Sequence, residues 1–318
     1  MRKLFNFLAI AATLFMSAAC ESSILPDKEE KTAVNFKVNV PTGVETRAIA
    51  DGNNVDVLIY EVYDAQMNKR LAYGKVPKTQ DKLFNLDLTL VQDQTYFFLF
   101  WAQVSGTDYY NSDNLRAVTV KYGNAEGNDE SRAAFFAAEK LYIGKEEIKD
   151  KEVFLKRPFA QLNFGTETFK SSMAEDVVVN SSVISVSTVS TKFDVANGVG
   201  SSAREDLKDV VFTAKGCPTD PAKLSVNDKN YEYLSMNYFF VAGEESTVTV
   251  GAEFYTSVGL VTHKIVSLPV AENHRTNIVG DLLFNKANFE IKVDQDFVKK
   301  ADGSYDDKNY DSNGNPIL

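Results

Sequence analysis

VNFKVNV, residues 34–40, alternates apolar and polar side chains without a break. At the two-residue period of a strand, Val34, Phe36, Val38 and Val40 fall on one face and Asn35, Lys37 and Asn39 on the other. Pro41 and Gly43 end the run. The same habit dominates the rest of the chain. Residues 83–91 read LFNLDLTLV, and residues 94–104 read QTYFFLFWAQV, a run rich in aromatics that suits a strand buried on one or both faces. Strand patterning continues at 55–63, 118–122, 153–155, 161–164, 177–189, 231–241, 246–255, 260–268 and 288–293. Turn residues separate these runs, among them Gly123-Asn124, Asn197-Gly198 and Gly243-Glu244. Helical pattern is scarce: residues 130–140 predict one helix, and residues 204–207 a single turn. Many short strands punctuated by turns predict an all-β protein built from β-sandwiches.

The chain has 318 residues, and about 300 remain after the leader described below, enough for two domains with separate cores. The expected organisation is a leader at 1–19, a polar tether at 20–32, an N-terminal sandwich at 33–160, a C-terminal sandwich at 161–300 and a polar tail at 301–318 that is disordered or loosely docked. The composition, 44% hydrophobic and 25% charged, is that of a globular body. A net charge of -10 with no Lys/Arg cluster argues against a nucleic-acid partner.

MRKLFNFLAIAATLFMSAAC, residues 1–20, reads as a bacterial lipoprotein signal. Arg2 and Lys3 supply the charged start, and small Ser17, Ala18 and Ala19 precede Cys20, the expected lipidation site. The apolar part is about 16 residues long, short of the roughly 20 that span a bilayer as a helix. Lipid on Cys20 is then the expected membrane attachment; an ordinary secretory signal with an incidental Cys20 is the other reading.

Residues that carry chemistry are few. Cys217, the other cysteine, lies in the turn-like run Lys215-Gly216-Cys217-Pro218 and predicts an inert, half-buried thiol. His263 and His274 stand in no metal-ligand spacing, and no nucleophile elbow, phosphate loop or dinucleotide-binding glycine pattern occurs. Asp307, Asn309, Asp311 and Asn313 alternate like a calcium loop, but Gly314 falls late and no closing glutamate follows. Trp101, inside an apolar strand, predicts core packing over a sugar platform. The chain is therefore expected to be no enzyme, with no catalytic residue, metal or cofactor.

Several short runs together carry a resemblance: Thr46-Arg47-Ala48-Ile49, Tyr96 with Trp101-Ala102, Arg157-Pro158-Phe159-Ala160-Gln161-Leu162-Asn163, Tyr233-Leu234 with Asn237-Tyr238, and Asn273-His274-Arg275-Thr276-Asn277-Ile278 with Gly280. In their order and spacing the chain resembles the fimbrillin-like surface lipoproteins of Bacteroidetes, the family that includes type V pilus subunits. The resemblance implies two tandem transthyretin-like β-sandwiches, export as a lipoprotein and display on the outer membrane. It also implies protease processing between Arg47 and Ala48, loss of the strand carrying Val34, Phe36, Val38 and Val40, and refilling of the groove by a strand from the next subunit of a homo- or hetero-polymer. A permanently anchored monomer that binds a glycan or host ligand is the alternative from a different class.

Overall fold

The computed structural model describes residues 29–41, 52, 54–79, 83–123, 125–170, 176–219, 222–284, 288–294 and 308–310. The chain divides into Met1–Glu30, of which residues 29 and 30 are described, and Lys31–Leu318, which holds every element below. In chain order come β1 (Lys31–Asn39), β2 (Val57–Tyr63), β3 (Arg70–Pro77), β4 (Leu83–Val91) and β5 (Gln94–Gln103). The short strands β6 (Tyr110–Asn111), β7 (Val118–Val120) and β8 (Ala125–Glu126) follow, then β9 (Ala134–Ile143) and β10 (Ile148–Phe154). Next are β11 (Ala160–Thr166), β12 (Val179–Ser190), β13 (Lys192–Asp194), β14 (Val199–Gly200), β15 (Leu207–Lys215) and β16 (Lys223–Val226). The last are β17 (Lys229–Phe239), β18 (Glu245–Thr256), β19 (Gly259–Ala271), β20 (Arg275–Gly280), β21 (Phe289–Asp294) and β22 (Lys308–Tyr310).

All but four of these strands make two tandem β-sandwiches; the short strands β14-β13-β7-β6 form a small sheet of their own. In the first, the sheet β10-β1-β4 lies over β3-β2-β5-β9, and Val34, Phe36, Val38, Phe84, Leu86, Phe98, Phe100, Phe135 and Val153 fill the space between. In the second, β19-β18-β12-β15-β8 lies over β16-β17-β11-β20-β21-β22, around Leu162, Phe164, Ile184, Phe212, Phe254, Ile265, Ile278 and Ile291. A third core joins the two sandwiches: Ile59, Leu99, Trp101 and Phe136 from the first meet Tyr233, Met236, Tyr238 and Phe240 from the second, with Leu115, Val118 and Phe193 between them. Strand β5 explains why its sequence runs apolar without alternation. It is the inner partner of β2 and β9, and it sends Phe98 and Phe100 into the first core and Leu99 and Trp101 into the third.

The segment between β5 and β9 reaches across to the second sandwich. β7 pairs with β13, β8 pairs in parallel with β15, and the buried Tyr122 hydroxyl donates to the Ser190 carbonyl and accepts from the Phe240 amide, both at 2.9 Å. Residues 130–140 are not the helix their composition predicts. A 3-10 turn at Glu130–Arg132 leads into β9, whose ten residues pair with β5 from Gln94↔Ile143 to Gln103↔Ala134. Burial of Ala134, Phe135 and Phe136 in a sheet covered on both faces outweighs the helix preference of Ala, Glu and Lys. The single turn at 204–207 is present as a 3-10 turn at Arg204–Asp206. Within the polar tail, Lys308–Tyr310 pairs antiparallel with β21; the rest of 301–318 lies outside the described residues.

Candidate functional site

Strand β1 occupies the middle of its sheet. All nine of its residues pair antiparallel with β4, from Lys31↔Val91 to Asn39↔Leu83, and its other edge pairs in parallel with β10 from Val34↔Ile148 to Asn39↔Phe154. Val34, Phe36, Val38 and Val40 point into the first core and are at most 5% exposed. Phe36 meets Phe98 and Phe100 at ring-centroid distances of 4.8 and 5.6 Å. At one rim buried Thr32 donates from Oγ1 to the Gly144 carbonyl at 2.9 Å, and on the outward face Lys37 Nζ lies 3.1 Å from Asp150 Oδ1.

Past β1 the chain comes back against the same strand. Gly52 has φ +69°, and a Cβ there would stand 2.5 Å from Val40 Cγ1, so only glycine fits this return. The connecting stretch, residues 42–51, contains Arg47 and Ala48; both lie outside the described residues, as does Cys20. The structure thus gathers Val34, Phe36, Val38 and Val40 into one slot and gives no position for the other three predicted site residues.

Burying each of the four side chains contributes about 1.5–3 kcal/mol. Their sum, roughly 6–12 kcal/mol, rivals the whole stability of an ordinary domain, about 5–15 kcal/mol. The sandwich therefore needs this slot filled, by β1 or by an equivalent strand. An empty slot also leaves two facing sheet edges, on β4 and β10, without hydrogen-bond partners.

The other singled-out residues are structural. Cys217 is half-buried, and burial together with nearby Glu232 pushes its thiol up to about 11, away from the reactive thiolate. His263 is buried with Nε2 2.7 Å from the Leu282 carbonyl oxygen, between the rings of Phe254 and Phe289. Trp101 is fully buried and its indole N–H donates to Gln103 Oε1 at 2.8 Å. Among the described residues no group of three His, Cys, Asp or Glu side chains could hold a metal, and no helix is long and apolar enough to cross a membrane.

The motif residues at 157–163, 233–238 and 273–278 come together, because β11 lies between β17 and β20. Tyr233 donates to Asn163 Oδ1 and Asn163 Nδ2 donates to Asn277 Oδ1, each at 2.7 Å, which ties the three strands by buried side chains. Arg157 places its guanidinium over Phe135 at 4.6 Å while its amide donates to Asn273 Oδ1 at 3.0 Å. Polar residues at alternate positions of otherwise apolar strands were the signal of this network. Its chemistry is cross-strand bonding beside the third core, where unpaired polar groups cost most.

Sequence reading missed Glu272. It lies in the turn between β19 and β20, only 8% exposed, with Lys156 Nζ at 2.9 Å. Burial pushes its carboxyl up to about 7; Lys156, half in solvent, offsets this only in part, and Glu244 adds to it. The unfolded chain releases this proton near the ordinary 4.5, so the contribution of Glu272 to stability is greatest below that value and falls as pH rises to about 7. The full span is at most about 3 kcal/mol. Glu272→Gln is expected to flatten this slope: urea midpoints of the parent fall between about pH 5 and pH 8, and those of the variant fall much less. Parallel profiles for the two proteins would remove Glu272 as the cause.

The fold and the slot define a class: tandem β-sandwich proteins in which an N-terminal strand completes the middle of its own sheet. The chain belongs to the family of unknown function DUF6562, whose model matches residues 26–314. No curated protein matches it. Among solved structures, it is similar to a candidate adhesin from Bacteroides thetaiotaomicron, at 12% identity and TM-score 0.50 over 84% of this chain and 97% of that one. The tip fimbrial protein Mfa3 from Porphyromonas gingivalis, C-terminally truncated, matches at 12% identity and TM-score 0.49 over 83% of this chain and 99% of that one. A fimbrial assembly protein from Parabacteroides distasonis matches at 12% identity and TM-score 0.45 over 87% and 98%. At this identity the likeness is one of fold.

Proposed function

We propose that the protein is a surface-displayed fimbrial subunit or fimbria-associated adhesive protein, exported to the outer membrane as a lipoprotein on Cys20. It acts by assembly and carries out no catalysis. A trypsin-like protease cuts between Arg47 and Ala48, β1 leaves with the lipid, and a strand from another subunit takes its place. The observation that carries this reading is the position of β1, which lies between β4 and β10 with four buried apolar side chains and precedes the arginine-bearing stretch 42–51. Strand addition from a partner restores both the apolar burial and the two open edges. The adhesin-like protein of similar fold from Bacteroides thetaiotaomicron supports the same role.

β21 favours a second reading, a permanently anchored monomer that binds a glycan or host ligand. Its alternating Phe289, Ile291 and Val293 resemble a donor strand, yet Ile291 is fully buried in the second core and β21 is paired on both edges.

One digestion separates the two. An arginine-specific protease acting on the precursor in membrane fractions is expected to release the body, leave residues 20–47 with the membrane by mass spectrometry, and give an SDS-resistant ladder. Arg47→Ala is expected to abolish the ladder without moving the precursor's thermal midpoint. A resistant Arg47–Ala48 bond, or a cut that yields only unfolded monomer, would overturn assembly by strand replacement.

A further inference from the structure

Three consecutive residues of β1 do more than alternate. The Phe36 ring fits against Phe98 and Phe100, inclined to them by 55° and 62°, while those two rings lie nearly parallel to each other at 6.5 Å. On the β4 side Phe36 stands opposite buried Leu86. Just before it the pairing with β10 slips, since Val34 faces Ile148 whereas Phe36 faces Lys151, and Asp150 at φ +54° lies in the irregularity. The Asp150 amide donates to Asn35 Oδ1 at 3.3 Å, and Asn35 Nδ2 donates to Asp87 Oδ1 on β4 at 2.7 Å. One carboxamide thus spans both walls of the slot, using its acceptor on one and its donor on the other. Lys37 follows, its ammonium 3.1 Å from the Asp150 carboxylate.

We propose that the slot between β4 and β10 selects its occupant by this triplet. The partner is a strand of a second polypeptide that carries Asn-aromatic-Lys within an alternating apolar run, the aromatic entering the Phe98/Phe100 pocket and the amide bridging Asp87 and the Asp150 bulge. Aliphatic residues at the places of Val34, Val38 and Val40 suit any alternating strand. The bulge occurs at one point only, so the triplet also sets the register, and a slip by one residue would turn every apolar side chain outward. This proposal rests on the reading of β1 as an exchangeable strand.

The test uses the full chain with the recognition sequence of an unrelated site-specific protease placed within residues 42–51, so that the cut does not depend on Arg47. After cutting, fluorescent peptides of residues 31–41 compete with the nicked strand, and displacement is read by anisotropy. The native-sequence peptide is expected to exchange in. Phe36→Ala weakens it roughly 100- to 1,000-fold or more, and Asn35→Ala about tenfold. A peptide with Phe36 and Val38 interchanged keeps the composition and is expected to bind as poorly as Phe36→Ala. Equal binding of the interchanged and native peptides would overturn the proposal, since the slot would then read hydrophobicity alone. Failure of the native-sequence peptide to exchange would overturn it as well. Resistance of the natural Arg47–Ala48 bond counts only against the processing step and leaves this measurement intact.

Discussion

Phe36→Ala in the intact precursor is expected to lower the free energy of unfolding by about 3–5 kcal/mol, read from urea titrations followed by circular dichroism. The ring is fully buried, and its removal takes away contacts with Phe98 and Phe100 that neighbouring side chains cannot replace. Phe98 and Phe100 are anchored on β5, in the middle of a sheet covered on both faces, so the cavity cannot collapse readily. Lys37→Ala, one residue along on the solvent side, is the control: its ion pair with Asp150 is exposed and contributes about 0–1 kcal/mol. A loss below about 1 kcal/mol for Phe36→Ala would mean that the first sandwich does not depend on the buried face of β1.

Trp101→Ala is expected to cost a similar amount, about 3–5 kcal/mol, but in a different place. Trp101 lies in the third core, with ring centroids 5.3 Å from Tyr110, 6.2 Å from Phe193 and 6.3 Å from Phe240. Truncation empties a space shared by both sandwiches and takes the indole donor from Gln103, whose Oε1 then keeps only the Ser112 hydroxyl at 3.3 Å. The sandwiches retain their own cores, so calorimetry is expected to show one transition in the parent and two in the variant. Trp101→Phe keeps an aromatic ring there and should restore a single transition. A variant that melts as one unit at an unchanged midpoint would show that the third core does not couple the two sandwiches.

The strands were readable where one face meets solvent. β1 and β4 show it most plainly, because each pairs an apolar face with a polar one and the period is two. β9 was read as helix because Ala, Glu and Lys favour one locally, and the ten-residue pairing with β5 that overrides them involves residues some forty positions distant. β3 and β20 were missed for opposite reasons: β3 is a mostly exposed edge strand whose large apolar residues Leu71 and Tyr73 face solvent, which breaks the alternation, and β20 is buried almost throughout yet carries Thr276 and Asn277 inside. Of the candidate site, the four apolar residues of β1 were legible from alternation alone. The Asp150 bulge was not, because a bulge is a property of two strands in register and leaves no mark in either one read singly.

The sequence by itself determined the all-β class, the apolar face of β1 and the scarcity of groups able to do chemistry, since each follows from local periodicity or residue type. Only the tertiary structure decided that β1 is an inner strand, that a third core welds the two sandwiches, and that the polar motifs at 163, 233 and 277 are cross-strand ties. These depend on which strands become neighbours. That choice is made by burying apolar faces across long stretches of chain, and an inner strand and an edge strand of the same pattern look alike until their partners are in place.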